Sequence, residues 1–166
     1  MGTLTRAWET ETAGPEGTRA LGAALGRLLP PGAVVALHGE LGAGKTTFCA
    51  GIGAGLETDE PLRSPTYLLC HEADGRLPVL HLDAYFDARM EGLLLEGLAE
   101  RFSGAGVLLV EWAERMADWL PQGRLEVVLS PGEAEETRKL VFTARGAAAE
   151  ELLEALEEAW NSLSGA

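Results

Sequence analysis

The sequence has few cysteines and no long apolar segment. Its two cysteines, Cys49 and Cys70, are too few for a disulfide framework and too widely spaced for a zinc knuckle. No run of about 18 apolar residues occurs. The residues after Met1 lack the basic and then apolar order of a secretory signal. These absences disfavour disulfide-stapled, zinc-finger and membrane-spanning proteins, and we expect a cytoplasmic protein.

Basic residues are also scarce, with 13 Lys and Arg against 26 Asp and Glu and a net charge of −13. Such a chain is poorly suited to hold nucleic acid or an anionic membrane over its whole surface, although a small electropositive pocket is not excluded. Only Lys45 and Lys139 are lysines, so a lysine within a motif is unusually informative. The length of 166 residues and the ordinary hydrophobic content predict a single domain over residues 1–166.

Apolar patterns typical of strands alternate with patterns typical of helices. The predicted helices cover residues 18–29, 45–56, 90–102 and about 147–161, the last carrying an acidic face that we expect to be solvated. The predicted strands cover residues 3–9, 33–37, 67–70, 77–82, 107–110, 125–129 and 140–143. This alternation predicts a three-layer α/β domain with a mainly parallel sheet.

The strongest motif is the glycine-rich stretch 39–46, which reads GELGAGKT and fits the Walker A or P-loop pattern G-x-x-x-x-G-K-[ST]. Glycines let consecutive backbone N–H groups point inward at phosphate oxygens, and the helix that follows adds partial positive charge. Lys45 is expected to reach the β- and γ-phosphates, and the Thr46 hydroxyl to bind Mg²⁺. Thr47 either donates to an α-phosphate or is only a first-turn residue. The predicted nucleotide-binding residues of this stretch are Glu40, Leu41, Gly42, Ala43, Gly44, Lys45, Thr46 and Thr47.

Hydrolysis of a bound triphosphate also requires acids that hold Mg²⁺ and align a water molecule. Ligands of open α/β sheets bind at the carboxyl ends of the parallel strands. Asp83 and Glu111 each follow an apolar run that is typical of such a strand. We assign Glu111 to Mg²⁺, directly or through water. Asp83 is then a second acid near the metal or the residue that polarises the attacking water.

Three further residues allow two interpretations each. Thr66 lies in the stretch Ser-Pro-Thr-Tyr at 64–67, where a loop of many P-loop enzymes senses the γ-phosphate. Its hydroxyl either binds Mg²⁺ or the attacking water, or the stretch is a plain Ser-Pro turn. Trp112 follows Glu111 and is either a functional aromatic, which stacks near a nucleotide or faces a partner, or a residue that packs in the core. His81 lies in an apolar run and is interpreted as a core histidine rather than a catalytic base.

Four blocks together resemble one family, the bacterial P-loop ATPase of tRNA threonylcarbamoyladenosine biosynthesis called TsaE. The blocks are GELGAGKTT at 39–47, SPTY at 64–67, HLDAY at 81–85 and EWAE at 111–114. The Walker A block is shared by very many proteins, whereas the H-x-D-x-Y and E-W-x-E blocks are far more specific. The resemblance spans about residues 18–129.

The resemblance implies a small P-loop NTPase-like domain that binds ATP with Mg²⁺ and hydrolyses it slowly when alone. It implies two protein partners, the threonylcarbamoyl transferase and its catalytically inert paralogue, which modify adenosine 37 in tRNAs that read ANN codons. The tRNA would be contacted mainly through these partners, in keeping with the charge of −13. By similarity, Thr66 is a switch residue and Trp112 a functional aromatic, while Thr46 and Glu111 match the Mg²⁺ positions.

The chain departs from the family pattern H-x-D-L-Y-R, because Ala84 stands for the leucine and Phe86 for the arginine. Either a nearby arginine such as Arg89 substitutes, or the contact is dispensable here. Arg138 resembles a recurring arginine of the family whose role is not known to us.

Two other functions remain as alternatives. A small-molecule P-loop kinase would share the motif and Mg²⁺, but no R-x-x-x-R lid stands out among the 11 arginines. A nucleotide-gated binding module would bind ATP without useful hydrolysis. A GTPase is disfavoured because the base-reading motif [NT]-K-x-D is absent.

Overall fold

The computed structural model describes residues 5–40, 42–62, 70–84 and 105–164. The strands in these ranges are β1 (Thr5–Ala13), β2 (Val34–His38), β3 (Cys70–Asp74), β4 (Pro78–Asp83), β5 (Val107–Glu111), β6 (Arg124–Pro131) and β7 (Thr137–Arg145). The helices are α1 (Gly14–Leu28), α2 (Lys45–Gly55), a 3₁₀ helix (Ala113–Trp119) and α3 (Ala147–Leu163). The predicted helix at 90–102 lies outside the described residues, as does most of the predicted strand at 67–70.

The strands form one sheet in the order β1-β7-β6-β2-β5-β4-β3. The four adjacent strands β6, β2, β5 and β4 are parallel, and β1 points in the same direction, whereas β7 and β3 run the opposite way. Five of the seven strands therefore share one direction, and the predicted mainly parallel sheet is confirmed. The carboxyl ends of β2, β5 and β4 consequently meet at one edge, which is where open α/β sheets bind ligands.

Two hydrophobic clusters cover the two faces of the sheet. Helices α1, α2 and α3 pack on one face over Val35, Leu109 and Phe142, among others. The other face carries Val34, Ala36, Leu82 and Val110 and packs against Ala113 of the 3₁₀ helix and Leu120. Strands β2 and β5 are buried at nearly every position because both of their faces are covered.

Element boundaries differ from the predicted ones at the amino end. Strand β1 continues to Ala13, and α1 begins at Gly14 rather than at residue 18. Pro15 lies in the first turn of α1, where the missing N–H costs no helical hydrogen bond. The predicted strand therefore ended four residues too early, and the predicted helix began four residues too late. Among the described helices, none is both long enough and apolar enough to cross a membrane.

Small residues allow α1 and α2 to approach each other closely. A Cβ atom at Gly51 of α2 would overlap the backbone carbonyl oxygen of Arg19, and one at Gly22 of α1 would overlap that of Phe48. Glycine disfavours helices, so Gly51 by itself would weaken α2. The close packing of α1 against α2 explains why glycine is present at this position, since only glycine permits such a backbone-to-backbone contact.

We predict that Gly51→Ala lowers the free energy of unfolding by about 1–3 kcal/mol, because overpacking outweighs the gain in helix propensity. Gly17→Ala is the matched control, since a Cβ atom there would lie 3.4 Å from Thr12 in ordinary contact. The control should be neutral or more stable by up to about 1 kcal/mol. Urea denaturation measures both variants, and equal stability of the two would contradict the close contact.

Candidate functional site

The glycine-rich stretch connects β2 to α2 at the edge where the carboxyl ends of β2, β5 and β4 meet. Gly42 and Gly44 have φ angles of 80° and 104°, in the left-handed region that side-chain-bearing residues rarely adopt. Gly44 is the N-cap of α2. The first N–H groups of α2, from Lys45 to Thr47, have no acceptor inside the helix and can bind an anion. Leu41 lies outside the described residues.

Lys45 is buried with its ammonium group inside this loop. Its Nζ donates to the backbone carbonyls of Gly39 and Glu40, the latter at 3.2 Å. The same Nζ lies 4.0 Å from the centroid of the Trp112 ring, within cation–π distance. Burial lowers the pKa of Lys45 from its usual 10.5, although nearby carboxylates, chiefly Glu111, act to raise it.

Asp83 and Glu111 stand side by side at the ends of β4 and β5. The two residues are register partners on adjacent parallel strands, and their exposed fractions are only 8% and 2%. Like charges so close destabilise each other unless a cation lies between them. Together with Glu114, these acids are the carboxylates whose charge acts to raise the pKa of Lys45.

The donor set at this edge suits a hard cation. Asp83 and Glu111 offer carboxylate oxygens, and the exposed Thr46 lies one residue from Lys45 in the first turn of α2. Oxygen donors around an excess of negative charge are what Mg²⁺ prefers. Thr47 is half-buried in the same turn. The arrangement can therefore hold a polyphosphate on the loop and a divalent cation beside it.

His81 is fully buried, as expected of a core histidine, but its polar contact is with a predicted site residue. Its Nε2 lies 2.7 Å from Oε2 of Glu111. The signal in the sequence was the H-x-D spacing, because alternate residues of a strand share one face and so place His81 with Asp83. Cys49 of α2 completes the cluster, with its sulfur within 4.8 Å of donor atoms of both His81 and Glu111. Burial first, and the charge of Glu111 second, raise the pKa of the Cys49 thiol well above its usual value of 9.0.

Trp112 is half-buried and takes a left-handed backbone conformation, with φ of 58°, at the start of the 3₁₀ helix. Non-glycine residues are held in this region at an energetic cost and are often found at functional sites. One side of the ring faces the Lys45 ammonium, and the ring also packs against the second hydrophobic cluster. Trp112 thus packs against the core, as one of its two interpretations predicted, and also contacts Lys45 of the loop, while its stacking near a nucleotide stays a prediction.

Arg138 lies at the opposite flank of the loop, where no role was assigned from the sequence. Its Cγ and Nε lie 3.8 and 3.9 Å from where a Cβ atom of Gly44 would be. Its one side-chain hydrogen bond within the described ranges runs from NH1 to the carbonyl of Thr137 at 2.9 Å. Thr66, Phe86 and Arg89 lie outside the described residues, so their predicted roles stay predictions.

Comparison with known proteins identifies relatives over most of the chain. The family model described as "Threonylcarbamoyl adenosine biosynthesis protein TsaE" matches residues 12–140. The tRNA threonylcarbamoyladenosine biosynthesis protein TsaE of Bacillus subtilis is 43% identical over 147 residues, covering 87% of this chain and 90% of that protein. The Treponema pallidum protein of the same name is 41% identical over 119 residues, covering 70% and 88% of the two chains. The crystal structure of Bacillus subtilis YdiB matches with a TM-score of 0.79 and 37% identity, over 96% of this chain and all of that one.

Proposed function

The chain belongs to the TsaE family of tRNA threonylcarbamoyladenosine biosynthesis proteins, and on this premise we propose that it is the Mg²⁺-dependent ATPase subunit of that biosynthesis. The observation that carries the proposal is the position of Lys45, inside a glycine-rich loop and next to the paired acids Asp83 and Glu111. A loop of N–H donors, one ammonium and two adjacent carboxylates are the parts that phosphoryl transfer requires.

In the proposed complex, the N–H groups of the loop and of the first turn of α2 receive the phosphate oxygens of ATP. Lys45 exchanges the carbonyls of Gly39 and Glu40 for oxygens of the β- and γ-phosphates, a short movement because its ammonium already lies within the loop. Thr46 and Glu111 would hold Mg²⁺, with Asp83 beside them. The ion would supply positive charge that offsets the negative charge of the phosphates.

Hydrolysis then requires a water molecule aligned with the γ-phosphorus. Asp83 is buried next to Glu111 at the end of β4. We assign Asp83 to accept a hydrogen bond from this water and so orient it, while Lys45 balances charge on the phosphates. The products are ADP and inorganic phosphate. Thr66 remains the proposed switch residue.

We assign the threonylcarbamoyl transferase and its inert paralogue as the partners, in the cytoplasm. Their joint product would be modified adenosine 37 in tRNAs that read ANN codons, with the tRNA held mainly by the partners. The net charge of −13 supports this division, because a strongly acidic surface repels a polyanion. Helix α3 contributes exposed carboxylates such as Glu154 and Glu158 to that surface.

We predict that Lys45→Ala weakens the binding of ATP with Mg²⁺ about 100-fold or more, because charge-assisted hydrogen bonds to phosphate are lost. The same variant should abolish ATP-dependent tRNA modification in a reconstituted mixture with the partners. Lys139→Ala is the matched control, since Lys139 is the other lysine of the chain and pairs with Glu9 at 3.1 Å. Calorimetry measures binding, and equal affinity of the two variants would refute the role of the loop.

We also predict that Asp83→Asn and Glu111→Gln retain ATP binding but lose hydrolysis, by about 100-fold or more, since each removes a charge from the reacting site. Asp74→Asn is the control, because Asp74 is an exposed acid that likewise ends a strand. Phosphate release in the presence of the partners is the measurement. If Glu111→Gln blocks hydrolysis while tRNA modification continues undiminished, the protein is a nucleotide-gated binding module instead.

A further inference from the structure

We propose that His81 is a positioning residue that holds the Glu111 carboxylate in the orientation needed for a divalent cation, an inference that rests on the proposed function. In the register of β4 and β5, His81 pairs with Leu109 and Asp83 pairs with Glu111. Glu111 therefore has Asp83 directly beside it and His81 diagonally behind it on the same face. Asp83 repels the Glu111 carboxylate, whereas the histidine offers it a hydrogen-bond donor.

The hydrogen bond is well placed to fix this orientation. The side chains of His81 and Glu111 are 0% and 3% exposed, and the Nε2–Oε2 distance is 2.7 Å. At this depth, water does not readily replace the donor, and a carboxylate without it would remain buried and unpaired. The Nδ1 atom of His81 has no hydrogen-bond partner among the described residues. Among the described residues, the imidazole ring therefore makes its polar contact with Oε2 of Glu111. We assign the other carboxylate oxygen of Glu111, Oε1, to the cation.

His81 and Glu111 also form a cluster with Cys49, in which the donor atoms of the three side chains lie within 4.8 Å of one another. Sulfur, imidazole and carboxylate donors are also the types that bind a soft metal. Two features favour the positioning role. A tetrahedral metal would hold Nε2 of His81 and Oε2 of Glu111 farther apart than the 2.7 Å that separates them, which is a direct hydrogen-bond distance. A metal would also need a thiolate, whereas the Cys49 sulfur lies in fully buried surroundings that favour the neutral thiol.

The test compares His81→Gln with His81→Asn, two amides that differ in reach. The glutamine amide nitrogen reaches about as far as Nε2 and can restore the donor to Glu111, whereas the asparagine amide falls short. Calorimetry measures the affinity for ADP twice, once with Mg²⁺ present and once with EDTA present. The ratio of these two affinities reports how much the ion contributes to ADP binding. Thermal unfolding of both variants is followed in parallel.

We expect His81→Asn to reduce this affinity ratio about tenfold and His81→Gln to preserve it, as for other residues that orient a metal ligand. ADP binding in EDTA should be the same in both variants. Equal ratios in the two variants and the wild type, or equal losses in both variants, would overturn the positioning role and leave the proposed function standing. Absence of nucleotide binding by the wild type would instead overturn the proposed function, and this inference with it.

A second, independent observation concerns Arg138, and we infer that its guanidinium forms one wall of a site for the purine base of the nucleotide. This inference also rests on the proposed function. Asp83 and Glu111 lie on one side of β2, on β4 and β5, whereas Arg138 lies on the other side, on β7. Because the terminal phosphate of a bound triphosphate would face the acids, we place its nucleoside at the other side of the loop, the side of β7.

Arg138 is available for such a contact. Leu140 and Phe142 of β7 belong to the cluster under the helices, so Arg138, at the alternate position, is on the same face as α2. Its side chain runs alongside Gly44 and is half-buried. No carboxylate lies within ion-pair distance of it in the described part of the chain, even though acids outnumber bases twofold in the sequence. A planar guanidinium held in this way can stack on a base.

The test uses ATP and inorganic tripolyphosphate, both with Mg²⁺, against Arg138→Ala and the neighbouring control Lys139→Ala. Stacking on the base predicts that Arg138→Ala weakens ATP binding about tenfold and leaves tripolyphosphate binding unchanged. Equal weakening for the two ligands would mean that Arg138 contacts phosphate, and no weakening would mean that it contacts neither. Both outcomes overturn the inference, whereas a wild type that binds tripolyphosphate but not ATP refutes the proposed function as well.

Discussion

The parallel pairing of β2, β5 and β4 is the constraint on which the rest of the site depends. It brings the carboxyl ends of the three strands to one edge, so that the loop after β2 and the acids that end β4 and β5 become neighbours. Lys45 and Glu111, more than 60 positions apart in the chain, thereby come close enough for their charges to interact. The pairing needs apolar residues on both faces of β2 and β5, which the two hydrophobic clusters provide.

Charge is balanced locally at this edge rather than over the whole molecule. Lys45 is buried at a cost in hydration, and two backbone carbonyls, the Trp112 ring and the neighbouring carboxylates compensate for that cost. Asp83 and Glu111 in turn place two buried carboxylates side by side, and a divalent cation would neutralise their charge. A polyphosphate and its metal ion would therefore complete the site electrostatically.

Much of this could be predicted from local patterns. The Walker A spacing placed Lys45 between a strand and a helix, and apolar runs placed Asp83 and Glu111 at strand ends, because these signals depend only on neighbours in the sequence. The resemblance to the TsaE family, read from four short blocks, is confirmed. The hydrogen bond between His81 and Glu111 could not be predicted, because it depends on the register between β4 and β5. The close contact between Gly51 and the backbone of Arg19 could not be predicted either. A glycine in a helical pattern indicates only lower helix stability until the residue packed against it is known.

The sequence by itself determined the class of fold, the position of the glycine-rich loop between a strand and a helix, and the family, since composition, periodicity and short motifs are properties of consecutive residues. The tertiary structure alone decided the sheet order, and with it which side chains flank the loop. It placed Trp112 over Lys45, His81 behind Glu111 and Arg138 beside Gly44. These contacts join distant segments through strand register and helix packing, which no local pattern encodes.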